Sequence, residues 1–205
     1  MPDDQPALHH PVPILRSTRV YLRPAERADI PIFVRWLSDA ETKRFLALRA
    51  PFSLAMEEKW FDRLVEHQGR DRYHFVICLI DDGRPIGSAD LREINLENGT
   101  ADFGIAIGEK DLWGDGYGTE ALEAICDFGF GQLRLERIEL DVYAGNDRAQ
   151  RSYAKAGFQV EGVLRHGHFA DGVFLDVVRM SLLRDEWLAQ ARPRSWEMNA
   201  ASDAS

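Results

Sequence analysis

The chain encodes an α+β domain built on one mixed sheet flanked by helices. Apolar residues recur with helical spacing in two early segments, extended runs of β-rich residues crowd the middle, and a glycine-rich loop then opens a strongly helical stretch. The order is helices, meander, strand, loop, helix, strand, short helix and closing strands, which is not that of a purely helical or purely β domain. At 205 residues, 45% of them hydrophobic, the chain can bury one substantial core.

Residues 20–23 read as a first strand, stopped by Pro24. Asp29 can cap a helix in which Ile30, Phe33, Val34 and Leu37 follow the i, i+3, i+4, i+7 pattern, Pro31 being tolerated in the first turn. Ser53 opens a second helix whose Phe61, Leu64 and Val65 share a face. The period then changes: residues 74–80 and 85–91 are extended runs joined by a turn at 81–84, the pattern of a hairpin, and Glu97-Asn98-Gly99 turns the chain into a strand over 100–107. After the glycine loop, Leu122, Ile125, Cys126, Gly129 and Leu133 mark one face of a helix of about four turns. Residues 137–143 alternate as a strand, Asn146 caps a short helix that Gly157 stops, and residues 158–160 and 173–183 close the body as strands.

Composition narrows the function. A net charge of −9 disfavours nucleic acid as a ligand, since phosphate backbones demand excess Lys and Arg, and it mildly favours a cationic substrate. No run approaches eighteen apolar residues and no signal peptide is recognisable, so a cytoplasmic protein with no membrane partner is expected. Cys78 and Cys126 suit a reducing compartment as buried apolar side chains. Residues 1–13, rich in proline, are expected to be a disordered tail and residues 189–205 a flexible one, leaving a single domain over 14–188.

In Leu112-Trp113-Gly114-Asp115-Gly116-Tyr117-Gly118-Thr119-Glu120-Ala121, three alternate glycines stand at the mouth of a helix. Glycine backbone can turn through positive φ and lie close to a ligand, while a helix mouth offers unpartnered N–H groups and about half a positive charge. A pyrophosphate suits such a loop. The Walker pattern fails because Gly118-Thr119-Glu120 replaces its Gly-Lys-Ser/Thr close. The dinucleotide fingerprint fails on glycine spacing and on the distance from the preceding strand, which makes NAD a distant alternative.

Together with Asn146-Asp147-Arg148-Ala149-Gln150-Arg151-Ser152-Tyr153-Ala154-Lys155-Ala156-Gly157-Phe158, this loop resembles the signatures of the GNAT superfamily of N-acetyltransferases, in the RimJ/RimL-like branch that includes SpeG-type polyamine acetyltransferases. The loop is similar to that family's Arg/Gln-x-x-Gly-x-Gly/Ala motif and the second segment to its Asn-x-x-Ala-x-x-x-Tyr-x-x-x-Gly-Phe motif. Residues 176–187 also resemble the branch's closing strand and ending. The resemblance spans residues 14–187 and implies a mostly antiparallel central sheet with a splayed strand pair, and acetyl-CoA as co-substrate without a metal.

Carried over by position, it assigns acetyl-CoA contact to Ile105, Ala106 and Ile107 on the strand, to Trp113, Gly114, Asp115, Gly116, Tyr117, Gly118 and Thr119 in the loop, and to Asn146, Ala149 and Ser152 beyond it. Trp113 stands where Arg or Gln is common and Asp115 where Lys is frequent, which weakens electrostatic capture of the cofactor but leaves the amide role intact.

Acetyl transfer from a thioester needs a proton for the departing thiolate and a neutral amine. Tyr153 is the candidate acid: its unperturbed pKa of about 10 lies just above the about 8.5 of a thiol. An amine of pKa about 10.4 is rarely neutral at pH 7, and Asp102, at a position where related members often carry Glu, is the candidate base, acting through a bridging water, with Asp90 second. His166 and His168 alternate but lack a third metal ligand, and Trp36 and Phe45 could line an acceptor pocket. The implied reaction moves acetyl to a primary amine, either a protein N-terminus or a small amine such as a polyamine, with a second copy in a homodimer as an optional partner. A non-catalytic acyl-CoA sensor on the same fold is the alternative.

Overall fold

A computed structural model describes residues 15–48 and 51–198; the expected tail at 1–13 and residues 199–205 lie outside them. Strands β1 (Leu15–Arg16), β2 (Val20–Pro24), β3 (Tyr73–Leu79), β4 (Pro85–Asn95), β5 (Thr100–Ile107), β6 (Arg137–Tyr143), β7 (Gln159–Ala170) and β8 (Val173–Leu183) form one sheet in the order β1-β2-β3-β4-β5-β6-β8-β7. Only β5 and β6 are parallel neighbours. Among the described residues the α-helices are α1 (Ile30–Ser38), α2 (Ala40–Lys43), α3 (Leu54–His67), α4 (Tyr117–Gly131), α5 (Asp147–Lys155) and α6 (Arg184–Leu188), none long and apolar enough to cross a membrane.

Strand alternation divides the molecule. Phe75, Ile77, Ala89, Leu91, Phe103, Ile138 and Leu140 face α4 and α5 and join the main core with Leu122, Ile125 and Phe130. The opposite face places Val76 and Cys78 beneath Phe33 and Trp36 of α1. Both cysteines are buried free thiols, as expected.

Four local expectations change. Asp29 stands at the start of α1 but does not cap it: its carboxylate accepts from both Arg23 guanidinium nitrogens at 2.7 Å and from the Glu26 amide, because a buried guanidinium outcompetes an orphan helix amide. Ser53 does cap α3, but Val65 points to solvent, one position beyond the buried Phe61–Leu64 face. The strand read at 158–160 begins a twelve-residue β7, bulged at two places and nearly all exposed, so no apolar alternation marks it. Finally, the segment from 189 to 198, expected to be part of a flexible tail, folds back on α4. Asp127, 1% exposed, accepts from Trp187 Nε1 at 2.8 Å, from Arg192 at 2.7 and 3.0 Å and from the Ser195 amide at 2.8 Å. A polar, weakly periodic sequence is held here by one buried carboxylate rather than by an apolar stripe.

Candidate active site

The site begins where β5 and β6 part. Their ladder holds for three rungs, Thr100–Arg137, Ala101–Ile138 and Asp102–Glu139, after which Phe103 to Ile107 pair only with β4. Two strands that diverge cannot satisfy each other's backbone, so the gap is a place for a ligand to complete the sheet. A cavity of about 1240 Å³ occupies it, lined among others by Gly104 to Ile107, the glycine loop, Asn146 and Tyr153.

At one end stands the loop. Gly114 and Gly116 have φ of 93° and 92°, the left-handed region in which a Cβ is strained, whereas Gly118 has ordinary helical geometry and a Cβ there would meet Ile107 at 3.6 Å. The amides of Thr119 and Glu120 donate to the Gly116 carbonyl. Among the described residues, nothing accepts from the five preceding amides, Gly114 to Gly118. Five successive donors at a helix mouth form an anion cradle, and they fit the pyrophosphate of acetyl-CoA without any lysine.

Two arginines that the sequence reading did not single out complete the loop. Arg19, in the β1–β2 turn, donates to the Asp115 carbonyl at 2.8 Å and to Glu120 at 2.6 Å while lying over the Tyr117 ring at 4.3 Å, so it braces the loop from outside. Arg148 of α5 stacks on Trp113 at 4.1 Å, and the Trp113 indole donates to the Ile107 carbonyl at 2.8 Å. Burial pulls the Arg148 guanidinium below its usual value, with the Glu41 carboxylate opposing the shift. The positive charge missing at Trp113 and Asp115 is thus restored from a neighbouring helix, which no loop-level pattern could reveal.

Asn146 caps α5, its side chain accepting from the Ala149 amide at 3.3 Å, and the Thr119 and Ser152 hydroxyls bond at 2.8 Å across α4 and α5. Those contacts hold the two helices at a fixed spacing along the cavity. They place Tyr153 at the fork, 9% exposed, edge-on to Phe103 at 6.3 Å and tilted on Phe158 at 6.3 Å. Burial pushes its phenol up to about 12. The close match to a thiol expected from the unperturbed value is therefore lost, and the group stays protonated through the working range of pH.

The carboxylates divide differently from expectation. Asp90 lines the cavity; Asp102, on the last paired rung, does not. Burial and the neighbouring Glu93 raise the Asp102 carboxyl above its ordinary value. Asp90 is flanked by Arg92 at 3.1 Å and Arg72 at 3.7 Å. On the same side of the sheet, Trp36 lies over Gly108, where a Cβ would sit 2.2 Å from its ring, and its indole donates to Glu109 at 2.8 Å. Trp36 and Phe45 line the cavity, as anticipated. His168 also lines it, stacked on Tyr143 with centroids 3.8 Å apart, while the His166 amide donates to Asp176 in a bulge, so the two histidines do not act together.

A family model described as an acetyltransferase (GNAT) domain matches residues 19–159. The chain is 32% identical over 172 residues to spermidine N(1)-acetyltransferase of Escherichia coli (strain K12), covering 83% of this chain and 89% of that one. It is 29% identical to an uncharacterized N-acetyltransferase p20 of Bacillus licheniformis over 84% of this chain and 97% of that one. The crystal structure of spermidine N-acetyltransferase from Vibrio cholerae in complex with CoA and spermine superposes with a TM-score of 0.76 at 26% identity, over 82% of this chain and 98% of that one. A split parallel pair with an amide cradle at its mouth, inside a sequence and a fold shared over most of their length with these enzymes, makes this chain a member of the GNAT family of acetyl-CoA-dependent N-acetyltransferases.

Proposed function

We propose that the chain acetylates the primary amine of a small molecule by direct attack on the thioester of acetyl-CoA, the observation that carries this being the free amides of Gly114 to Gly118 on the same cavity as Tyr153. The relatives named for spermidine support a small amine over a protein N-terminus. Acetyl-CoA supplies the activated acyl group. The loop amides bind its diphosphate, with Arg148 adding charge; the edge of β5 from Ile105 to Ile107 pairs with its pantetheine arm; Asn146, Ala149 and Ser152 border that arm. Tyr153 holds its proton at Oη for the departing sulfur, and Asp102, standing on the last paired rung behind the cavity wall, takes the amine's proton only by relay through a water, its raised affinity for protons making it a better base than an exposed carboxylate.

The exposed apolar side chains of edge strand β7, Val160, Val163 and Leu164, support a homodimer, which sedimentation would register.

Calorimetric titration with acetyl-CoA and with NAD, followed by a thiol-release assay over a panel of amines, tests the reading. Acetyl-CoA binding with amine-dependent thiol release is expected. Binding without release for any amine would favour a sensor, and binding of NAD alone would overturn the loop assignment.

A further inference from the structure

On the α1/α3 side of the notch, Arg44, Arg72 and Arg92 line the cavity with Glu41, Glu57 and Asp90, and burial favours the neutral form of Glu57 by raising its carboxyl above the ordinary value. Asp90 lines the cavity from β4 and is shared between Arg92 and Arg72 at 3.1 and 3.7 Å. This trio is built in: a Cβ on Gly104 would lie 2.4 Å from Arg92 Nη1 and 2.7 Å from Asp90 Oδ1, so the absent side chain is what admits the pair. Arg44 lies over Phe45 at 5.3 Å, and among the described residues it has no ion-pair partner. Glu41 is engaged by Lys110 at 3.3 Å.

Each guanidinium has five N–H donors. Arg92 spends one of them on Asp90, and Arg72 approaches Asp90 beyond hydrogen-bond distance. The remaining donors border the cavity close to the chemistry, for Arg92 is the charge that bears on both Tyr153 and Asp102. Next to them is an aromatic wall: His74 meets Trp60 at 5.1 Å and Phe33 at 6.1 Å, its two ring nitrogens buried without partners. Two guanidiniums sharing one carboxylate beside an apolar wall recognise an anion attached to an apolar body.

We propose that the acceptor carries a carboxylate of its own, seated on Arg92 and Arg72, with its apolar side chain against Phe33, Trp36 and Trp60: an apolar α-amino acid rather than a polyamine. The inference rests on the transferase reading above and sharpens its acceptor class. Spermidine would bring a second ammonium toward the arginines. An amino acid brings the opposite charge.

The test compares, in the wild-type enzyme, thiol release with L-phenylalanine, phenethylamine, spermidine and the dipeptide Phe-Ala, with acetyl-CoA affinity measured separately by calorimetry. Phenylalanine is expected to exceed phenethylamine in kcat/KM by about ten- to a hundredfold, the worth of a hydrogen bond to a charged group. Arg72→Gln, which removes the guanidinium whose charge does not bear on Tyr153 or Asp102, should raise KM for phenylalanine by a similar factor with little change in kcat, and so narrow its advantage over phenethylamine. Spermidine, phenethylamine or the dipeptide used as well as phenylalanine overturns the assignment, as does turnover of no apolar amino acid while acetyl-CoA still binds. Failure to bind acetyl-CoA would instead remove the transferase reading beneath it.

Discussion

Replacing Tyr153 by Phe removes one oxygen and little else. The ring is 9% exposed and wedged between Phe103 and Phe158, contacts that phenylalanine reproduces, so the fold and the acetyl-CoA cradle some distance along the cavity should be unchanged. What is lost is the donor proposed to serve the departing sulfur. With the phenol pushed up to about 12 and a thiol near 8.5, full proton transfer in the resting environment is uphill by about 3.5 pKa units, or about 5 kcal/mol. The group therefore contributes mainly as a hydrogen bond to a developing anion, about 1.5–3 kcal/mol, which corresponds to a chemical step slowed about ten- to 150-fold. Single-turnover measurement with a reactive amine isolates that step from product release. Because Tyr153 remains protonated well past neutrality, the wild-type rate should show no descending limb from this residue below about pH 11. A Phe variant with a full-speed chemical step, or one whose acetyl-CoA affinity collapses, would refute the assignment.

Gly116→Val should cut acetyl-CoA affinity by about a hundredfold or more, since a β-branched residue at φ 92° cannot keep the amides aimed and its Cβ would press on Arg19 at 3.3 Å; calorimetry on a variant with native circular dichroism decides it. Asp102→Asn should slow transfer by about a hundredfold and abolish the acidic limb of the kcat/KM profile, which in the wild type lies above the ordinary carboxylate range; an unchanged limb would transfer the role to Asp90. His74 is buried neutral with its pKa drawn down to about 4 by burial, so the stability it permits is present above its unfolded value of about 6.5 and is lost as pH falls toward 4, by about 3 kcal/mol in all; His74→Leu should flatten urea midpoints across that window. Asp127→Ala removes the counter-charge of Arg192 and the acceptor of the Trp187 indole and should cost about 3–5 kcal/mol, read as a lower urea midpoint and early proteolysis beyond residue 189.

The sequence by itself carried whatever is decided within about ten residues. The bounds of β5 and β6, the cap at Asn146 and the left-handed glycines of the loop are local choices of backbone and period, and they stand in the structure where the chain places them. The order of the two motifs also placed Tyr153 and the amide cradle in one cavity. Charge was different. That Arg19 braces the loop from 96 residues away, that Arg148 restores the charge missing at Trp113 and Asp115, and that Asp127 anchors the C-terminal segment depend on which surfaces meet, as does the pairing of Asp90 with two arginines. The acidity of Tyr153 likewise follows from its burial between two phenylalanine rings. A side chain's partners and its access to water are properties of packing, and a one-dimensional pattern records neither.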